Sequence, residues 1–190
     1  PVVSLSTKGL EKNPGFKVTP GLLIKAVEAL IYGDLFMRVV YRTRPYEKVK
    51  GSVNELHKKW EARCIEQLQK GSIPAFKKNV KAIIEDFDNI ELDESVKKPR
   101  IGIVGEILVK FLPLANNHAV ELLEEEGAEA VVPDLLDFFS CGFYDESFKA
   151  KYLGKKKKDA VVGNLALKAI DFMRSGMNKA LEMSKRFNPV

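Results

Sequence analysis

The sequence predicts an α/β protein in which a helix-rich lobe precedes a small, parallel-sheet, Rossmann-like lobe. Three observations predict it. Apolar residues between positions 20 and 87 recur at helical spacing. From Arg100 the pattern changes to short apolar runs, Ile101–Val104 and Ala130–Val132, of the kind that forms buried parallel strands. A helix signal separates those two runs, so the unit is strand, loop, helix, strand, which implies parallel pairing.

Residues 2–5 are a short β-branched run that suits a first strand. Thr19-Pro20 places an N-cap before a proline at the first helical position. The helix that follows extends to about Thr43, because Arg44 precedes Pro45 and proline disfavours helical backbone before it. Gly33 lies inside this helix and is read as permitting close approach of another backbone. Ser52 and Glu55 have capping-box spacing, so a second helix is expected from Ser52 to Gly71. A third fits 73–87, with Phe76, Val80, Ile83, Ile84 and Phe87 on one stripe. Residues 88–98 are polar and read as a connector.

In the second lobe, Gly105 ends the first strand, and Asn116 or Asn117 can cap a helix over 118–126 that Gly127 stops. Residues 135–151 are expected to be mostly helical. A long last helix over 163–187 should turn Leu165, Leu167, Ile170 and Met173 inward, and 159–162 is read as helix or strand. The expected division is therefore 1–98 and 99–190. So few parallel strands make a thin, incomplete sheet, which predicts a segment of a longer protein.

The chain has 190 residues, 45% hydrophobic and 30% charged, a globular balance that argues against disorder. Its net charge of +5 suits anionic partners without selecting one. The most apolar stretch, 21–41, is interrupted by Lys25, Glu28, Asp34 and Arg38 and does not read as a membrane span. Two cysteines far apart, Cys64 and Cys141, suggest a reducing, cytoplasmic setting.

Ligands of open α/β sheets sit beyond the carboxyl ends of the strands. That rule makes Gly105, Glu106, Asn116 and Asn117 the candidate ligand-binding residues. The spacing is neither a dinucleotide fingerprint nor a phosphate-binding P-loop. Arg38, Arg42 and Arg44 could hold an anion, but are read first as salt-bridge donors to Asp34 and Glu47. His57 and His118 lack metal spacing. Cys141, among Phe138, Phe139, Phe143 and Tyr144, is expected to be a buried thiol, and Cys64 a plain helix residue. The 155–158 lysine run is read as a solvated loop. No catalytic residue and no metal ligand is assigned.

Arg100-Ile101-Gly102-Ile103-Val104-Gly105-Glu106-Ile107-Leu108-Val109-Lys110, then Pro113, Asn116-Asn117 and 122–129, resemble a block of the large CoA-enzyme activase proteins related to 2-hydroxyacyl-CoA dehydratases. Residues 31–35 with Arg44-Pro45-Tyr46-Glu47 are similar to the block before it. The resemblance implies an anaerobic redox system in which an ATP-driven iron–sulfur activator passes electrons to a dehydratase-like component. This chain would belong to the dehydratase-like part and hold no cofactor itself, the iron–sulfur cluster and ATP lying elsewhere in the full-length protein. Its implied partners are other domains of the parent chain, a dehydratase or activator subunit, or a second copy of the chain. Neither a membrane nor nucleic acid is expected as a partner. A scaffold or interaction domain without chemistry of its own is the alternative.

Overall fold

The computed structural model describes residues 19–154 and 157–188. Seven α-helices and two short strands are defined among them: α1 (Pro20–Thr43), α2 (Ser52–Lys70), α3 (Ile73–Asp88), β1 (Arg100–Gly102), α4 (Ile107–Phe111), α5 (Ala119–Glu125), β2 (Glu129–Val131), α6 (Leu135–Tyr152) and α7 (Lys157–Glu182). The strands pair in parallel, Ile101 opposite Ala130, as a two-stranded sheet. This is a helix-rich α/β arrangement. The strand expected at residues 2–5 lies outside the described residues.

The starts of α1 and α3 follow local chemistry, and that of α2 does not. Thr19 caps α1 by accepting from the Leu22 N–H, and Ser72 caps α3 by accepting from Ala75 N–H. At α2 the expected capping box does not form. The Glu47 carboxylate instead accepts from Gly51 N–H at 2.6 Å and Val53 N–H at 3.1 Å. Gly51 is left-handed there, with φ +93°, so the chain reverses just before the helix and brings Glu47 over its free N–H groups. Gly71, also left-handed, ends α2 as expected.

The larger core joins α1, α2 and α3 to α6 and α7. Phe76, Val80, Ile83, Ile84 and Phe87 of α3 are all buried in it, together with Ile31, Leu35 and Val39 of α1 and Met177 and Leu181 of α7. Residues from both sides of the 98/99 boundary therefore share one core. A second cluster under the sheet has only Val120, Ala130 and Val132 fully buried, with Met37 and Tyr41 of α1 packed against it.

Several expectations about faces are corrected. Gly33 is exposed, and nothing lies within 4 Å of where its Cβ would stand. The close approach occurs at Gly163, where a Cβ would come within 2.8 Å of the Phe143 carbonyl oxygen across the α6–α7 hairpin. Leu165 faces out, while Ile170 is buried, and residues 159–162 are helical. Cys141 is exposed rather than buried, because α6 packs through Leu136 and Phe143 and leaves Cys141, Phe138, Phe139 and Tyr144 on its outer side. Cys64 is buried, and burial pushes its thiol up to about 12, so it stays protonated. No described helix is long and apolar enough to cross a membrane.

Candidate functional site

The arginines at the end of α1 reach across to the sheet. Arg38 makes a two-pronged bridge to Asp134, both contacts at 2.8 Å. Arg42 binds both oxygens of Glu129, at 2.7 and 2.6 Å. Arg44, in the 3-10 turn after α1, grips Glu124 of α5 in the same forked way. The reading of these arginines as salt-bridge donors holds, but their partners are not Asp34 and Glu47. Those two carboxylates act as helix caps. Asp34 accepts from the Leu135 and Leu136 N–H groups at 2.7 and 3.0 Å, capping α6 from another helix. Asp134 occupies the N-cap position of α6 and turns to Arg38 instead. Burial pushes the Asp34 carboxyl up to about 6, against the pull of the two N–H groups it caps.

Glu129 is the centre of this seam. Its carboxylate is 1% exposed and accepts from Arg42, from Arg100 Nε at 2.9 Å and from the Tyr46 hydroxyl at 3.0 Å. A buried carboxylate needs such compensation, because desolvating a lone charge costs several kcal/mol (roughly, after relaxation). Its two arginines sit nearer water, and Arg100 is 59% exposed.

Two adjoining cavities open beside this residue. The first, about 260 Å³, runs along β2 to Pro133 and Asp134 and reaches Leu181 and Phe187. The second, about 480 Å³, lies against the connector 92–98 and the chain after α7. They share Arg42, Arg100, Glu129, Arg186 and Asn188. Arg100 and Glu129 are the first residues of their strands. The larger cleft is thus at the amino-terminal end of the sheet, opposite the end where the sequence places the ligand residues.

Those residues form a locally bonded loop. Glu106 caps α4, accepting from Leu108 and Val109 N–H. Asn116 donates to the Val109 carbonyl at 2.9 Å and accepts from Ala119 N–H at 3.1 Å. Asn117 and His118 take left-handed backbone at φ 54°, and Gly105 has φ 148° with open space around it. Glu106 and Asn116 meet through Val109, while Asn117 makes no side-chain bond among the described residues. His57 packs its ring on Phe36 with centroids 4.5 Å apart, and burial lowers its pKa.

The same loop carries the most exposed apolar side chains beside the sheet. Val104 is 81% and Leu114 80% exposed, with Ile101, Leu108, Val109 and Leu112 also open. β1 pairs with β2 on one side and with no strand on the other among the described residues. Because Ile103 N–H donates to Val131, the alternating Gly102 N–H points to the open edge.

Apart from Arg42, named above as able to hold an anion, the residues of the cleft were missed in the sequence because each half looked bland. Lys97-Lys98-Pro99-Arg100 ends a polar connector, and Lys185-Arg186 follows a helix. A basic pair flanking a strand start was the available signal. No protein family, curated protein or solved structure matches the chain. The two thiols, one buried in α2 and one on the outer face of α6, do not fit a cluster-ligand set.

Proposed function

We propose that this chain is a non-catalytic docking segment of a cytoplasmic, iron–sulfur redox protein related to the 2-hydroxyacyl-CoA dehydratases and their activases. The observation that carries the docking role is the open edge of β1, flanked by Val104, Leu108 and Leu114. An unpaired edge beside exposed apolar side chains is a template for another strand. A two-stranded parallel sheet is also thin for a stable unit. The occupant is a neighbouring strand of the parent protein, which completes a Rossmann-like sheet. The redox assignment is supported by the likeness of residues 100–110, 116–117 and 122–129 to the dehydratase-related block. The cluster and the ATP site then belong to other parts of the parent protein or to its activator subunit.

The test is amide exchange at Gly102 in this chain and in the complete product of its reading frame, with anaerobic iron and sulfide determination on both. Slow Gly102 exchange in the long form alone supports docking at β1. Equal, fast exchange in both overturns it. Iron and sulfide in the long form and none in the short supports the redox assignment, and none in either overturns that part. Val104→Lys with Leu114→Lys should restore fast exchange in the long form, yet change the stability of the short form by under about 0.5 kcal/mol, as ordinary surface substitutions do.

A further inference from the structure

We propose that the cleft at the amino-terminal end of the sheet is a binding site for an anion carrying two or more phosphates. Six cationic side chains line it: Arg42, Lys97, Lys98, Arg100, Lys185 and Arg186. Three carboxylates oppose them: Asp93, Glu94 and Glu129. The carboxylates are already committed. Glu129 is held by Arg42, Arg100 and Tyr46. Asp93 accepts from the Ser95 backbone N–H and hydroxyl. Glu94 stands 3.5 Å from Arg186.

The cations keep unused donors. Arg42 reaches Glu129 through Nη1 and Arg100 through Nε, so the remaining N–H groups of both forks are without a partner among the described residues. Lys97, Lys98 and Lys185 bridge no described carboxylate. Arg186 is fixed in place, its Nη1 donating to the carbonyls of Phe87 at 3.2 Å and Ile90 at 2.7 Å. Its Nη1 is thereby spent and its Nη2 faces Glu94, so Arg186 contributes a fixed positive charge to the cleft and not an open fork.

Size and charge together select the ligand class. A cleft of about 480 Å³ exceeds what one phosphate fills and lies in the range of small-molecule sites. The surplus of positive charge, converging from the connector, β1, α1 and the chain after α7, favours a multiply charged anion over a single one. Leu92, Val96 and Tyr46 form an apolar side to the cleft, against which an organic group attached to the phosphates could rest. Glu129 sets the depth. It is a buried negative charge beneath the cations, so the anion sits on the outer N–H groups of Arg42 and Arg100 and does not replace the carboxylate.

The experiment is titration of the whole chain with inorganic pyrophosphate, orthophosphate and ADP, read by calorimetry and by amide chemical shifts at low and moderate salt. The expected result is saturable pyrophosphate binding that shifts residues 97–100 and 185–186 and exceeds orthophosphate affinity at least tenfold. It should weaken as salt rises. Lys97→Glu with Lys185→Glu should lower the affinity at least tenfold, while Lys59→Glu on the exposed face of α2 leaves it unchanged. Both altered lysines are exposed, and an unchanged melting temperature would confirm that the fold is intact. ADP binding tighter than pyrophosphate identifies a nucleotide-type ligand, and equal binding identifies the phosphate chain alone. Either supports the site. The proposal is overturned by non-saturable binding, by equal loss in the Lys59 variant, by orthophosphate binding as tightly as pyrophosphate, or by an oligonucleotide binding the cleft where pyrophosphate does not.

Discussion

The helical core and the sheet unit of this protein are held in different ways. Between α1, α3 and α7 the contact is mainly apolar, with Ile31, Leu35, Ile83 and Phe87 wholly buried and one polar link, in which Asn79 donates to the Tyr32 hydroxyl. Between α1 and the sheet unit, only a small apolar cluster forms, and three arginine–carboxylate bridges span the joint, those of Arg38 and Arg44 two-pronged. Apolar burial is nondirectional and tolerates sliding, whereas a two-pronged guanidinium bridge fixes angle and register. The core therefore supplies stability, and the forks supply the orientation of a unit too small to set its own. That division also explains the cleft. Charges brought in to align the sheet leave spare donors at its amino-terminal end.

The largest effect expected from this contrast is in the core. Phe87 is completely buried where α3 meets α7. Phe87→Ala should lower stability by about 3–5 kcal/mol, the usual cost of deleting a buried aromatic ring. Urea unfolding measures it. A loss below about 1 kcal/mol would show that α7 is not part of the same packed unit, and the contrast between core and joint would fail.

Next comes a titration at the joint. Asp34 is pushed up from 3.8 to about 6, chiefly by burial, with Asp134 and Asp137 adding to the rise. The cation acting on it is Arg174, itself engaged with Asp134 and Asp137. With the folded-state value above the unfolded one, the folded chain binds a proton that the unfolded chain has lost. That contribution is complete below about 3.8 and disappears as pH rises through 6. From pH 4.5 to 7 the wild-type protein should lose on the order of 2 kcal/mol relative to Asp34→Asn, which cannot titrate. Parallel stability curves for the two proteins would mean that the capping N–H groups outweigh burial.

The same contrast decides what could be read in advance. The longer helices were legible because their signals are local: Thr19-Pro20, the stripe from Phe76 to Phe87, and Gly71 after α2; the short α4 was not, since its stretch reads as part of a loop. The paired strands were legible because two apolar runs flanked one helix. The caps of α2 and α6 were not, since Glu47 and Asp34 reach them from outside the helix. The forks were less legible still. Arg42 and Glu129 are 87 positions apart and Arg38 and Asp134 are 96 apart, and no periodicity links such pairs. Cys141 and Leu165 were misplaced for a related reason. An apolar neighbourhood in sequence says nothing about which face of α6 or α7 has a partner to pack against. The loop carrying Gly105, Glu106, Asn116 and Asn117 follows β1, and the hydrogen bonds of Glu106 and Asn116 run within the loop itself.

The smallest effect, and the sharpest for the joint, is at Glu129. Glu129→Gln keeps the side-chain volume and removes the charge, leaving one amide oxygen to accept where Arg42, Arg100 and Tyr46 all donate. Removing one partner of a buried pair usually costs 3–5 kcal/mol or so, because the other charge is stranded. Here Arg42 and Arg100 reach water and can be rehydrated, so a loss of about 1–2 kcal/mol is expected. Amide exchange should place that loss in β1 and β2 and leave α3 protected. Saturating pyrophosphate should recover part of it, since the freed guanidiniums gain an anionic partner in the cleft. A uniform loss across α3 and the strands would instead show that the forks and the core are one cooperative unit, with orientation and stability supplied by the same contacts.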